Sequence, residues 1–259
     1  MFELPYLESC AEIFEKRFKN RVLQKIDLRY EKCLNVSKAE LIENLMEHEL
    51  KKVWREGLSL MFQFKNHAEL EMSLSPAAEF RIIEQNQEAG SGLLSLYFSG
   101  GAILSVKDTR KLSTFRLNPI HTAVPDVLSK AMTINYLIDL FSNSEEQVKH
   151  ILMDQNLIRG MGEAYADEIL WYAGISPFSI ASKIPTDKVK GLFKTTKYVL
   201  LDAIKQTRKI NTLEFNQTHA DLLMIHHTGK KKSPTGGVIK MNVISGTKAY
   251  YTDEQRLYV

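Results

Sequence analysis

Two short helices meeting at a glycine turn constrain this chain more than any other stretch. From Ser144 to Pro177 the sequence reads SEEQVKHILMDQNLIRGMGEAYADEILWYAGISP. Ser144 followed by Gln147 has capping-box spacing, and Val148, Ile151 and Leu152 recur at helical intervals until Asp154. Gly160 and Gly162 flank Met161 and open a second helix, with Ala166, Ile169, Leu170 and Ala173 on one side and Gly174 as terminator. Such a turn leaves backbone N–H groups at the start of the second helix, a natural seat for phosphate. The same pattern also serves as a plain tight corner between helices.

Around this pair the periodicity changes along the chain. Glu3 to Asn20 reads as a helix with Leu7, Cys10, Ala11, Phe14 and Phe18 on its apolar side; Pro5 is tolerated near its beginning. A strand is expected around Val22–Tyr30 and a helix from Lys38 to His48, capped by Ser37. Leu58, Leu60, Phe62 and Phe64 then alternate with Ser59, Met61, Gln63 and Lys65, and Ala68, Leu70, Met72 and Leu74 repeat the alternation. Short strands follow at Phe80–Ile83, Leu93–Phe98 and Ala102–Val106, a pattern that fits a β-sandwich better than a parallel α/β sheet. Prolines between Asn118 and Pro125 mark a boundary. Beyond it come a helical stretch over Val127–Phe141, the organising pair, and a longer helix that Thr186 can cap, with Val189, Leu192, Phe193, Val199, Leu200 and Ile204 on its packing face. Val238–Ile244 and Ala249–Thr252 flank Ser245-Gly246-Thr247-Lys248 as a β-hairpin.

Composition narrows the class. The chain has 259 residues, 44% of them hydrophobic, enough for real cores. No apolar run reaches 18 residues, and Glu3, Glu8 and Glu12 stand where a basic leader region would, so a soluble intracellular protein without membrane contact is expected. Cys10 and Cys33 are too few for a disulfide scaffold or a cysteine-based zinc site. The net charge of +3 is uneven: from Lys205 onward there are nine Lys and Arg against four Asp and Glu. That basic end, including Lys230-Lys231-Lys232, can attract a polyanion through counterion release, or can simply be a solvated loop.

These residues carry a resemblance. Leu152-Met153-Asp154-Gln155, Ile158 to Gly162, Tyr165-Ala166-Asp167-Glu168 and Gly174-Ile175-Ser176-Pro177 resemble the helix–two-turn–helix signature of the formamidopyrimidine-DNA glycosylase / endonuclease VIII family. Glu3-Leu4-Pro5 resembles its N-terminal ProGluLeuPro, and Asp108-Thr109-Arg110-Lys111 its central DNA-contact loop. The resemblance implies an α+β architecture: an N-terminal β-sandwich glycosylase-like domain with flanking helices over residues 1–124, a helix–two-turn–helix domain over 125–215 and a hairpin subdomain over 216–259. The family commonly binds zinc in the hairpin. With no cysteine after Cys33 this one resembles the zincless version, and adjacent His226 and His227, expected at the surface or facing DNA, do not make a metal site. No metal or cofactor is expected.

The resemblance also implies residue roles, and the chain departs from several. The family's nucleophile is an N-terminal proline amine; Phe2 occupies that position and supplies no such amine. Glu3 matches the catalytic glutamate, suited to protonating a leaving group or orienting water. A second family glutamate falls at Tyr6, and the catalytic-loop lysine falls at Leu58 in Arg55-Glu56-Gly57-Leu58, where Arg55 could approach a phosphate without replacing it. Met72 matches the methionine inserted where the damaged nucleotide leaves the duplex, Arg110 an arginine reaching the opposite strand, and Leu112 the wedge position usually held by phenylalanine. By composition alone these three read as strand core, solvated cation and core leucine. Gly160 and Gly162 are expected on DNA phosphates, and the family's hairpin arginine falls at Thr247 or Lys248 depending on a one-residue choice of alignment, with Lys248 the better cation for a phosphate; Glu163 replaces an asparagine and would repel phosphate if it pointed the same way.

Two readings follow. In one, a metal-independent DNA glycosylase, monomeric, cytoplasmic and associated with chromosomal DNA, flips a base from damaged or distorted double-stranded DNA and hydrolyses its N-glycosidic bond with Glu3, with weak or absent strand-cleaving lyase activity. In the other, catalysis is lost and a damaged-DNA or distorted-DNA binding protein remains.

Overall fold

The computed structural model describes residues 3–84, 90, 92–210, 219–244 and 246–259. Phe2, the expected boundary at 215/216 and Ser245 of the hairpin turn lie outside the described residues. The described chain forms two compact units, one containing Tyr6–Thr122 and the other Glu3–Pro5, Ala123–Lys209 and His219–Val259.

The first unit is built on an aromatic core. Helix α1, Leu4–Phe18, buries Leu7, Cys10, Ala11, Phe14 and Phe18 at the spacing of one helical face. Strands β1 (Leu23–Leu28), β2 (Leu50–Glu56), β3 (Ser59–Phe64), β4 (Glu69–Ser73), β5 (Glu79–Ile83), β6 (Leu94–Phe98), β7 (Ile103–Lys107) and β8 (Thr114–Leu117) form two four-stranded antiparallel sheets, ordered β1-β6-β7-β5 and β2-β3-β4-β8. This is a β-sandwich. Phe14 links its sheets, with its ring 6.3 Å from Phe62 on one and 4.8 Å from Phe80 on the other. Each such buried ring stabilises by roughly 1.5–3 kcal/mol through area removed from water. Helix α2, Lys38–Leu45, starts as expected, with Ser37 Oγ accepting from the Glu40 N–H at 3.1 Å. It stops at Leu45 and not His48, because Met46 is already extended, Glu47 turns left-handed at φ 61°, and Leu50 begins β2.

The second unit holds helices α3 (Ile134–Ser142), α4 (Val148–Met153), α5 (Glu163–Tyr172) and α6 (Thr186–Ile210), then a hairpin of β9 (Lys240–Ile244) and β10 (Thr247–Tyr251). Helix α3 begins later than the apolar pattern from Val127, because Thr133 caps it: its Oγ1 accepts from the Tyr136 N–H at 3.2 Å. The capping box expected at Ser144 does not form. Gln147 is the cap residue of α4 and makes no side-chain cap bond; the Val148 N–H reaches the Ser179 carbonyl at 2.8 Å, so a distant loop does the capping. Thr186 likewise stands inside α6 as its first residue. At the end of α5, Gly174 takes φ 66°, the Gly174 N–H bonds to the Trp171 carbonyl and the Ile175 N–H to the Leu170 carbonyl, each at 3.0 Å. That is a Schellman stop, and it needs a residue free to turn left-handed. Ile244 pairs with Thr247 at the end of the hairpin, and Gly246 beside that pair has φ 83°. No helix among the described residues is long and apolar enough to cross a membrane.

Candidate active site and nucleic-acid interface

The corner between α4 and α5 is held from inside by one amide. Gln155 Oε1 accepts from the Gly160 N–H at 2.9 Å, and its Nε2 donates to the carbonyls of Met153 and Met161, each at 2.9 Å. Gly160 has φ 91°, a backbone only glycine adopts readily. Gly162 is extended; its need is spatial, because a Cβ there would lie 2.3 Å from Glu3 Cδ.

Glu3 is the reason for that crowding. Its carboxyl group is buried and receives the Ala164 N–H on Oε1 at 2.9 Å and the Tyr165 N–H on Oε2 at 3.1 Å. The donors at the start of α5, assigned from sequence to a phosphate, therefore belong to Glu3. A carboxyl group at a helix N-terminus is favoured by the dipole and by unpaired N–H groups. Burial nevertheless pushes the proton affinity of Glu3 up, outweighing the two N–H bonds and the nearby His226 charge, which lower it. A carboxyl group that keeps its proton above the usual carboxylate range can act as a general acid.

Behind Glu3, α5 carries two buried acids that the apolar pattern of the helix concealed. Glu168 Oε1 accepts from the N–H groups of Ile225 and His226, and Oε2 from Met224, all at 2.8 Å; burial raises its proton affinity against these bonds. Asp167 Oδ1 lies 2.6 Å from Lys149 Nζ, both side chains fully buried. Its Oδ2 lies 2.7 Å from His226 Nδ1 and accepts from the Tyr250 N–H at 2.9 Å. Lys149 also donates to the Lys248 carbonyl. His226 is thus not a surface histidine, since Asp167 holds its ring against Tyr250. The signal that could have found this cluster is Asp167-Glu168 next to Ile169 and Leu170, together with Lys149 beside Val148: charges among apolar residues must be paired if buried.

The hairpin gives Glu163 a partner. Glu163 Oε1 accepts the Lys248 N–H at 2.7 Å, so this acid anchors hairpin backbone, and the Lys248 side chain stays exposed.

In the first unit, Asp108 shapes a loop. Its carboxylate accepts from the N–H groups of Arg110, Leu112 and Ser113 and from Ser113 Oγ, at 2.7–3.0 Å. Burial alone would raise its proton affinity, but these bonds prevail and lower it. The loop presents Arg110 and Leu112 to solvent, Leu112 at 65% exposure, so Leu112 is no core leucine. Met72 is different: it is wholly buried in β4, paired between Leu60 of β3 and Phe115 of β8. Inserting this methionine into DNA would mean withdrawing it from the core, which opens a cavity at a cost of about 2–5 kcal/mol. Arg55 does not reach out to phosphate either; Nε bonds to Glu8 Oε2 at 2.6 Å and Nη1 to the Gly57 carbonyl at 2.8 Å. Leu58 packs against the sandwich core. Among the described residues no group of three or more His, Cys, Asp or Glu could hold a metal ion.

A β-sandwich unit and a unit with two short helices meeting at a glycine corner, backed by a buried glutamate and followed by a hairpin, define the helix–two-turn–helix class of DNA-repair folds. The formamidopyrimidine-DNA glycosylase N-terminal domain matches residues 1–115, and the formamidopyrimidine-DNA glycosylase H2TH domain matches residues 123–215. This chain belongs to the formamidopyrimidine-DNA glycosylase family. The formamidopyrimidine-DNA glycosylase of Lactobacillus gasseri is 25% identical, with 95% of each chain covered. That of Ureaplasma parvum is 26% identical, covering 97% of this chain and 98% of its own. Among solved structures, Lactococcus lactis Fpg in complex with DNA containing an abasic site has a TM-score of 0.87 at 21% identity, covering 98% of this chain and 99% of that one. MutM in complex with DNA containing carbocyclic 8-oxo-G has a TM-score of 0.86 at 23% identity, with the same coverage.

Proposed function

We propose that this protein is a DNA glycosylase that binds damaged double-stranded DNA and hydrolyses the N-glycosidic bond of a displaced base, with Glu3 as general acid. Relatives along nearly the whole chain are glycosylases by name, and solved neighbours hold lesion-bearing DNA. The observation that carries the reading is Glu3: a buried carboxyl group fixed by two backbone N–H groups at the glycine corner, with its proton affinity raised by burial. Arg110 and Leu112 are exposed on one loop and suit the strand opposite a displaced base and the gap in the stack. Lys248 suits a phosphate as a point charge. With phenylalanine at position 2 and leucine at 58 there is no amine side chain at either place, so a strand-cleaving lyase step through a Schiff base is weak or absent.

Base release from duplexes carrying formamidopyrimidine, 8-oxoguanine or other lesions tests this. Glu3→Gln is expected to lose base release by at least about a hundredfold while still binding the duplex, and borohydride is expected to trap little adduct with the wild type. Full activity in Glu3→Gln would remove the proposed chemistry. The second reading, binding without catalysis, is favoured by Leu58 packing into the core where the family places a lysine. A protein that prefers distorted over intact duplexes yet releases no base from any of them would establish it.

A further inference from the structure

Helices α5 and α6 border a cavity that the chemistry above leaves unused. Tyr165, Glu168 and Tyr172 recur at intervals of three and four on α5, and Tyr198 and Asp202 are four apart on α6, so each set shares one helical face. Together with the segment 221–224 they line a space of about 270 Å³, all of it within the second unit. That segment is a fixed wall. Glu168 Oε2 accepts from the Met224 N–H and Oε1 from Ile225 and His226, all at 2.8 Å, so the wall does not have to order when a ligand arrives.

The walls select what can enter. Tyr172 and Tyr198 are exposed and meet edge to face, with centroids 6.4 Å apart at 71°. Two carboxylates with open access, Asp202 and Asp221, share the lining, and no lysine, arginine or histidine does. Electron-rich ring faces beside carboxylates attract a cation and repel phosphate. A bare metal ion does not fit, since no group of three or more His, Cys, Asp or Glu among the described residues could hold one. Val199 and Leu223 make part of the lining apolar, which suits a methylene stem behind a charged head.

Tyr165 supplies an independent sign of a ligand. It is 7% exposed and lines the cavity, yet its hydroxyl has no hydrogen-bond partner among the described residues. A phenol so deeply placed ordinarily finds a partner. An N–H brought in by a ligand would provide it.

We infer that this cavity binds a primary alkylammonium group on a short aliphatic stem, the chemistry shared by aliphatic diamines and a lysine side chain. The ring faces of Tyr172 and Tyr198 receive the cation, Asp202 and Asp221 balance its charge, the Tyr165 hydroxyl accepts an ammonium N–H, and the stem packs on Val199 and Leu223. This function is separate from base release and does not depend on it.

Titration calorimetry on the whole chain without DNA tests the inference, with three probes: putrescine as the four-carbon diamine, the corresponding four-carbon diol as its neutral counterpart, and Nα-acetyl-lysine methylamide. Putrescine is expected to bind at one site per chain with a Kd of about 1 mM or below, and the diol at least about tenfold more weakly. Tyr198→Ala and Asp202→Asn are each expected to weaken putrescine about tenfold, and Tyr165→Phe about fivefold. Tyr198 and Asp202 are exposed, so those two variants should melt as wild type does when no ligand is present. The lysine derivative separates the sources: binding equal to putrescine assigns the site to a lysine of a protein partner, and binding at least about tenfold weaker assigns it to a free amine. Absence of saturable binding by both amines, equal binding of the diol, or undiminished binding in all three variants would overturn the inference. If a variant melts early, the comparison of amine with diol on the wild type decides.

Discussion

Gly162 has a hydrogen where any other residue would place a carbon 2.3 Å from Glu3 Cδ and 2.6 Å from Oε2. The collision falls on a buried carboxyl group tied to two N–H groups, not on the loose end of a surface chain, so it cannot be relieved cheaply. Gly162→Ala is expected to lower stability by about 1–3 kcal/mol in denaturant unfolding and to reduce base release beyond what stability explains, because Glu3 must leave its seat. Equal activity and stability would mean that Glu3 is not fixed as described. Glu3 itself was legible as an acid in the right place, but its partners were not: Ala164 and Tyr165 lie some 160 positions away, and backbone donors leave no mark in sequence. His226 was misjudged for the same reason, since a histidine near a basic tail reads as exposed unless the buried Asp167 is known.

At the scale of elements, the loop from Asp108 to Ser113 shows how a short segment displays apolar surface without unfolding. One carboxylate closes the loop by gathering three backbone N–H groups and a hydroxyl, and Lys111 at φ 55° turns over the Tyr30 ring at 5.0 Å. Leu112 is thereby held outward at the cost of its own burial. Leu112→Ala is expected to leave unfolding within about 0.5 kcal/mol of wild type while narrowing the preference for an abasic over an intact duplex in competition binding. A stability loss of several kcal/mol would show that Leu112 belongs to a core after all. Elements with unbroken periods were readable: β3 and β4 follow the alternation, and α6 follows its apolar face. Strand β2 was missed because Leu50 and Val53 are out of step, with a register shift between Leu50 and Lys52 and charged residues between them. Met72 was readable as core from the same alternation, and the family-based role assigned to it conflicted with that signal.

Across the whole molecule, charge is the property that a polyanion would sense first. The count of nine basic against four acidic residues from Lys205 onward was legible, but their pairing was not. Lys240 Nζ lies 2.8 Å from both Asp253 oxygens, and Lys230 Nζ donates to the Leu223 carbonyl at 2.5 Å, so neither charge is fully available to DNA. Lys231, Lys232 and Lys248 are exposed, and Lys248 is distinct because its backbone is tied at both ends of its peptide unit, N–H to Glu163 and carbonyl to Lys149, while its ammonium points to solvent. A cation on a fixed backbone holds a phosphate with less ordering cost than one on a loose loop. Affinity for intact and abasic duplexes, measured by anisotropy titration between about 50 and 200 mM salt, is expected to fall for Lys248→Ala on both, with the salt slope reduced by about one. Lys240→Ala is expected to change the slope by less, because Asp253 already answers its charge. Neither change touches a buried side chain, so melting temperatures should hold. If Lys248→Ala weakens only the abasic duplex and leaves the slope intact, Lys248 reads the lesion and not the backbone, and the hairpin is part of damage recognition.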